Sequence, residues 1–247
     1  MSHAIIGRGG MKTLVLAIAA SALLLTAASA PAAQEAPVVA AAPTATPAGV
    51  PLDSAWRRAV YEQANTHLRH PSWGVRHSER NYVLGMALAG AEGLTVDADV
   101  LFAAAFLHDW GGIAPFAVAG TDHAVRSVEL AEPFLTEAGF PMEKFPAVRA
   151  AILGHMYDKE PEGAEAVVLH DADALDFLGA LGAARLLAAT GDRPDYDQAL
   201  GRIERFAVDI PPRLKTAAAR NLATQRIAVM TDFLAEVRRE TPEGARP

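Results

Sequence analysis

The stretch that decides the fold is residues 103–112, AAAFLHDWGG, in which an apolar run ends abruptly in His108 and Asp109. Gly111 and Gly112 follow at once, so the backbone leaves its element directly after the two polar residues. An adjacent imidazole and carboxylate at the end of a core segment are two metal-type ligands on a rigid support. The alternative is a buried helix that merely ends in polar residues, and the pair alone does not decide between the two.

Helical patterns extend outward from this stretch over the rest of residues 52–247. They indicate helices at about 53–69, 76–91, 97–109, from 121 onward, 146–154, 163–189, 195–206 and 215–239. Pro133 should kink or end the helix that contains it. Sustained alternation of the kind strands show does not occur, and the apolar pattern around Val167–Leu169 continues for about twenty residues, which favours a helix. We therefore predict an all-α, single-domain helical bundle.

The first fifty residues differ from the rest in composition. A basic start at Arg8 and Lys12, an apolar core from Leu14 to Leu25 and small residues after it predict a secretory signal peptide over residues 1–32. The core is too short to span a bilayer, which needs about 20 residues. Residues 33–51 are rich in Ala and Pro and predict a disordered linker, so the chain is expected to be exported, to the periplasm or the medium.

Charge and cysteine content exclude several functions. The formal net charge is −7 and no block of Lys or Arg stands out, so neither a nucleic acid nor, once the signal is removed, a membrane is an expected partner. The chain has no Cys, which excludes disulfides, zinc–thiolate sites and thiol catalysis. Glycine-rich phosphate loops and a Gly-x-Ser-x-Gly elbow are also missing from the sequence.

Ligand-type residues recur at the ends of the predicted helices. Besides the central pair there are His77, His123 and His155, and an acidic set on the helix that starts near Gly163: Asp171, Asp173 and Asp176. Helix ends from different elements can converge on one cavity in a bundle. Imidazole and carboxylate without thiolate suit iron, manganese, zinc or nickel.

The order of these residues resembles the HD-domain superfamily of metal-dependent phosphohydrolases. The resemblance rests on RHSERNYV at 76–83, AAFLHD at 104–109, Asp122-His123, ILGH at 152–155 and DADALD at 171–176. It implies an all-α bundle and a metal held by His77, His108, Asp109 and Asp173. Spacing alone does not choose among the three acids; the family pattern around the last Asp favours Asp173.

Family members with two metals use further His between the His-Asp pair and the last Asp, and His123 and His155 lie in that interval. The resemblance therefore allows one or two divalent ions, among them Mn, Fe, Ni, Zn and Mg. Two ions about 3.5–4 Å apart would clamp a phosphoryl group. The alternatives are a solvent-facing residue for His123 and a charged helix-end residue for His155.

The substrate contacts are less defined, because the chain lacks the Lys that often follows the His-Asp pair and has Ala174 where many members have Arg. Arg80 and Arg126 each lie three residues after a candidate ligand and share its helix face, so either is a candidate for holding phosphate. A surface arginine in a salt bridge is the competing interpretation of each.

The expected function is hydrolysis of a phosphate ester or anhydride in a small phosphorylated molecule, such as a nucleotide, with Asp109 and His108 as the catalytic residues. Two alternatives remain open: a di-iron oxygenase of the HD type, and a metal- or ligand-binding module without catalysis.

Overall fold

The computed structural model describes residues 43–189 and 196–242. Within these ranges the regular structure is helical, apart from an isolated bridge between Ala45 and Pro51. The helices are α1 (Ala55–His67), α2 (Val75–Glu92), α3 (Ala98–Leu107), α4 (His123–Ala138), α5 (Phe145–Gly154), α6 (Ala164–Asp176), α7 (Gly179–Ala188), α8 (Tyr196–Asp209) and α9 (Ala217–Glu240). The all-α prediction is confirmed.

Helix α3 is the centre of the core. Every residue from Val100 to Leu107 is buried, as expected for a helix that is apolar on all sides. Helices α1, α2, α5 and α6 pack around it. Asp97 begins the helix by accepting hydrogen bonds from the backbone N–H groups of Asp99 and Val100. The rigid support predicted for the His-Asp pair is thus a helix enclosed by four others.

Two helix boundaries differ from the prediction. Helix α4 continues through Pro133, because both Pro133 and Glu129 are exposed and water can bind the carbonyl that proline leaves unpaired. The helix predicted over 163–189 is two helices, since the chain turns at Leu178 and at Gly179, which has a φ of 80°. A side chain at Gly182 would lie 2.2 Å from the Phe177 carbonyl, so glycine allows α7 to pack closely against the end of α6.

The predicted linker was placed too far along the chain. Residues 43–51 are folded against the helices: Val50 and Thr46 are buried, and the backbone N–H of Ala48 donates to the Glu79 carboxylate at 2.8 Å. The segment turns at Pro47 and Ala48, and an antiparallel bridge joins Ala45 to Pro51, so this proline-rich stretch is ordered. The predicted signal peptide and linker residues 33–42 lie outside the described residues. Among the described residues no helix is both long and apolar enough to cross a membrane.

Candidate metal centre

Five helices bring the six predicted ligands to one place. Their positions are the first turn of α2 (His77), the two residues after α3 (His108 and Asp109), the first residue of α4 (His123), the residue after α5 (His155) and the last turns of α6 (Asp173). Helices α2, α5 and α6 pack directly on α3, which carries the central pair at its end. The side chains form two groups that share Asp109.

The first group contains His77, His108, Asp109 and Asp173. The Nε2 atom of His77 lies 3.0 Å from Asp173 Oδ1 and 3.6 Å from Asp109 Oδ2. The Nε2 atom of His108 lies 3.3 Å from His77 Nε2 and 3.3 Å from Asp109 Oδ2. Two imidazole nitrogens and two carboxylate oxygens therefore surround one point, which is a four-ligand set for a divalent cation.

The second group contains His123, His155 and the other oxygen of Asp109. Asp109 Oδ1 lies 3.6 Å from His123 Nε2 and 3.8 Å from His155 Nε2, and the two imidazole nitrogens are 3.2 Å apart. Because one oxygen of Asp109 faces each group, its carboxylate is placed to bridge two ions.

Hydrogen bonds set the tautomers of three of these imidazoles. His108 Nδ1 donates to the Ala105 carbonyl at 2.9 Å, and His155 Nδ1 donates to the Ile152 carbonyl at 2.6 Å. His77 Nδ1 donates to the Asp176 carboxylate at 2.7 Å. Each Nδ1 carries a proton and is used outward, so Nε2 is the ring atom of each imidazole that can bind a cation at the centre.

This donor set fits a cation. The Nε2 atoms of His77 and His108 lie 3.3 Å apart beside two carboxylates, so either a cation between them or a proton on an imidazole must balance the negative charge. The set is made of nitrogen and oxygen donors, which suits the divalent transition metals.

The electrostatics of the centre agree with this fit. Burial by itself lowers the pKa of His108, but the adjacent Asp109 outweighs it and raises the pKa to about 9. Burial opposes ionisation of Asp109 and Asp173, yet the imidazoles around them hold both pKa values below the usual range. Burial, and then the charge of His108, lowers the pKa of His155 to about 4. A proton on His108 thus compensates the two carboxylates where a cation would otherwise do so.

A cavity of about 290 Å³ opens onto the shared carboxylate. Asp109, Asp173 and His123 form its polar wall, and its other lining residues include Trp73, Met156 and Phe177. A small molecule in this cavity reaches both ligand groups.

Comparison with known proteins identifies the part of the chain that carries both ligand groups. The family model for the HD domain matches residues 74–178, the range from the start of α2 to the end of α6. Residues 74–178 are therefore an HD domain.

Solved structures share the fold of this HD-domain protein. Bacillus subtilis YpgQ has a TM-score of 0.61 at 20% identity, covering 76% of this chain and 96% of that one. A predicted HD-superfamily hydrolase from an uncultured Thermotogales bacterium has a TM-score of 0.53 at 25% identity, covering 73% and 88%. An HD-superfamily hydrolase from Bacillus thuringiensis has a TM-score of 0.54 at 22% identity, covering 74% and 97%. No protein of curated function matches the chain.

Asp176 holds the first HD-domain histidine in place. Its carboxylate accepts from His77 Nδ1, and Arg80 donates to both oxygens, at 2.8 Å and 2.7 Å. Arg185 Nη1 lies 2.8 Å from Asp176 Oδ2. Burial alone would raise the pKa of Asp176, but His77 and Arg80 hold it well below its usual range. The group stays anionic and increases the basicity of the His77 ligand atom.

The two arginines predicted to bind substrate are engaged elsewhere. Arg80 forms the pair with Asp176. Arg126 Nη1 donates to Glu129 at 2.9 Å, and its Nε donates to the Phe116 carbonyl at 3.2 Å. Among the residues that the structure describes, neither arginine lines the cavity of about 290 Å³.

Several residues of the site were not found by sequence reasoning. Asn81 is buried and its Nδ2 donates to Asp173 Oδ1 at 3.2 Å. Ser127 Oγ donates to the His108 carbonyl at 2.6 Å and accepts from the Gly111 N–H at 2.8 Å, which fastens the turn after α3 to α4. Asn81 lies four residues after His77, so helix periodicity could have indicated it. Nothing in the sequence indicated Ser127 or Arg185.

The remaining acid of the DADALD stretch has another role. Asp171 accepts hydrogen bonds from the backbone N–H groups of Lys215 and Thr216 and from the Thr216 hydroxyl, so it fastens the start of α9. It also lies 3.0 Å from His170 Nδ1. The structure thus separates the three acids: Asp173 in the ligand group, Asp176 behind His77 and Asp171 at a helix start.

Proposed function

We propose that this HD-domain protein is a metal-dependent phosphohydrolase that cleaves an ester or anhydride bond in a small phosphorylated molecule. The observation that carries the proposal is the position of Asp109, whose two oxygens face two separate groups of imidazole nitrogens. A bridging carboxylate between two such groups is the arrangement that paired ions need for displacement at phosphorus.

The residues that would hold the ions follow from the two groups. His77, His108, Asp109 and Asp173 would hold a first divalent ion, and His123, His155 and Asp109 a second. Bound Mn, Fe, Ni, Zn or Mg would supply a water of lowered pKa and positive charge for the phosphoryl oxygens.

The protein's own residues prepare this centre. Asp109 remains ionised, since the surrounding imidazoles keep its pKa low, and it is therefore available as an acceptor that orients an attacking water. His108 is held by the Ala105 carbonyl with its Nε2 directed at Asp109. Asp176 keeps the proton of His77 on Nδ1. The reacting groups are thus positioned before any substrate enters.

The cavity limits the size of the substrate. A volume of about 290 Å³ holds a phosphoryl group and a small organic part. Trp73, Met156 and Phe177 provide apolar contact for that organic part and exclude water from the reacting phosphorus. A small phosphorylated molecule, rather than a nucleic acid or a membrane, is therefore the proposed partner.

The test is hydrolysis by the purified chain reconstituted with each metal in turn. Substrates should include phosphate monoesters, phosphodiesters and nucleotides, the last because Bacillus subtilis YpgQ, which has the same fold at 21% identity, was crystallised with ADP. We expect phosphate or pyrophosphate release that is lost in the double variant His108→Ala, Asp109→Ala.

Two controls make the hydrolysis assay decisive. Asp99→Asn changes a carboxylate that pairs with Arg57 and Lys144, away from both ligand groups, and should leave the rate unchanged. Elemental analysis should give two ions per chain. Metal binding without turnover on any substrate would refute the proposal in favour of a binding module. Oxygen consumption by a coloured protein with about two irons would favour the oxygenase.

We also propose that the chain is exported, on the pattern of residues 1–32 alone. Expression with a periplasmic reporter fused after residue 51 tests this. Retention in the cytoplasm with an intact N-terminus would refute it.

A further inference from the structure

A second cavity, of about 520 Å³, lies behind the loop that joins α1 to α2. It is formed by the end of α1, the start of α2 and one face of α7. It shares no lining residue with the cavity of about 290 Å³, but the metal-centre residue His77 is part of its wall. His70 lines the larger cavity and stacks on Trp73, which lines the smaller one, with ring centroids 3.9 Å apart. The stacked pair is part of the wall between them.

The lining of this second cavity is strongly basic. Four arginines line it: Arg69, Arg76, Arg80 and Arg185. Among the residues that the structure describes, no carboxylate lines it. The Arg69 side chain donates to the Thr66 carbonyl, and neither Arg69 nor Arg76 has an ion pair with any described residue. Asp176 balances part of the charge of Arg80 and Arg185 from behind the wall. An excess of positive charge therefore faces the cavity.

One of the four guanidinium groups is left with an unused donor. Arg185 is only 3% exposed, and its Nε and Nη1 donate to the carbonyls of Ser72 and Asp176. Its Nη2 is buried without a hydrogen-bond partner among the described residues. A buried charged donor without a partner is costly, because it has lost water and gained nothing in return. Because Nη2 has almost no accessible surface, Arg185 contributes positive charge to the wall rather than a direct contact.

The start of α2 adds to the same field. Gly74 precedes the helix without a side-chain cap, and the partial positive charge of an 18-residue helix points into the lining formed by Gly74, Val75 and Arg76. Arginine side chains and a helix N-terminus together are the usual means by which proteins bind phosphate.

From these observations we propose that this cavity, which adjoins the metal centre through His77, is an anion site for a small phosphate-bearing molecule. The exposed Arg69 and Arg76 contact the phosphate at the open side, and Arg80 and Arg185 add positive charge to the wall. The site does not depend on the hydrolase activity, because its guanidinium groups bind an anion whether or not a metal is present.

The test is calorimetric titration of the purified chain with pyrophosphate, first in the presence of a chelator and then with manganese. We expect binding at one pyrophosphate per chain with no divalent ion present. The variant Arg69→Gln, Arg76→Gln should weaken it by about tenfold or more, as expected for the loss of charged phosphate contacts. Inorganic phosphate should bind more weakly at the same site.

A matched control separates this effect from net charge. Arg149→Gln, Arg205→Gln removes two exposed arginines outside the cavity and should change the affinity less than twofold. His123→Ala alters the metal centre and should leave metal-free pyrophosphate binding intact. The proposal is wrong if the wild-type chain binds no pyrophosphate at millimolar concentration without metal. It is equally wrong if binding survives in the Arg69/Arg76 variant or requires manganese.

Discussion

Replacing Asp176 by Asn tests how the metal centre is supported without touching a ligand. The substitution keeps the shape of the side chain and removes the charge that receives the His77 Nδ1 proton at 2.7 Å. His77 Nε2 then becomes a weaker donor. Loss of such a partner typically costs 10- to 100-fold in metal affinity, or about 1.4–2.7 kcal/mol.

The same substitution weakens the fold. Arg80 and Arg185 lose their anion, and Arg185 is almost fully buried. Removing one partner of a buried pair costs about 3–5 kcal/mol, and we expect the lower end because the amide oxygen still accepts a hydrogen bond. For a domain of this size about 3 kcal/mol lowers the Tm of the metal-free protein by roughly 6–12 °C.

Metal affinity is measured by competition against a chromophoric chelator at a temperature well below the lowered Tm. Asp99→Asn is the matched control, since it also removes a carboxylate paired with two cations, Arg57 and Lys144, but contacts no ligand. It should lower the Tm and leave the metal affinity within twofold. A metal affinity in Asp176→Asn equal to that of the wild type would refute the supporting role of Asp176.

Three further predictions concern the second ligand group, a surface ion-pair cluster and a tight turn. His123→Ala should reduce bound metal from two ions per chain to one by elemental analysis; loss of both ions would contradict two separable groups. Burial raises the pKa values of Asp97 and Asp99, but Lys144 outweighs it and lowers both, so their contribution to stability is present above about pH 4 and is lost as the pH falls. Lys144→Met should therefore cost about 1 kcal/mol in urea denaturation at pH 7 and progressively less as the pH falls below about 4; a pH-independent difference would exclude this ion-pair effect. Gly111→Ala should destabilise by about 2–3 kcal/mol by the same method, because its Cβ would lie 2.5 Å from the His123 carbonyl oxygen, and an unchanged midpoint would disprove this close contact.

Local chemistry made much of this protein predictable. The apolar run that ends at His108 is a helix because it is long and apolar on every side, and its caps are local signals. The predictions of a helix end and of a disordered segment were wrong where the surroundings of a residue in the fold outweighed the pattern of the nearby sequence. Pro133 does not end its helix because the freed carbonyl is on the exposed face. Residues 43–51 fold because Val50 and Leu52 find a surface to pack against, which composition does not reveal.

The sequence by itself determined the helices, the donor types and their placement at helix ends, because each of these depends on residues within one or two turns. Only the tertiary structure decided which acid of the DADALD stretch joins the ligand group. It also decided that the two oxygens of Asp109 face two different pairs of imidazoles, and that Arg185 of α7 pairs with Asp176. Those choices depend on how helices rotate and pack around α3, and the energy that sets this rotation comes from contacts between segments far apart in the chain.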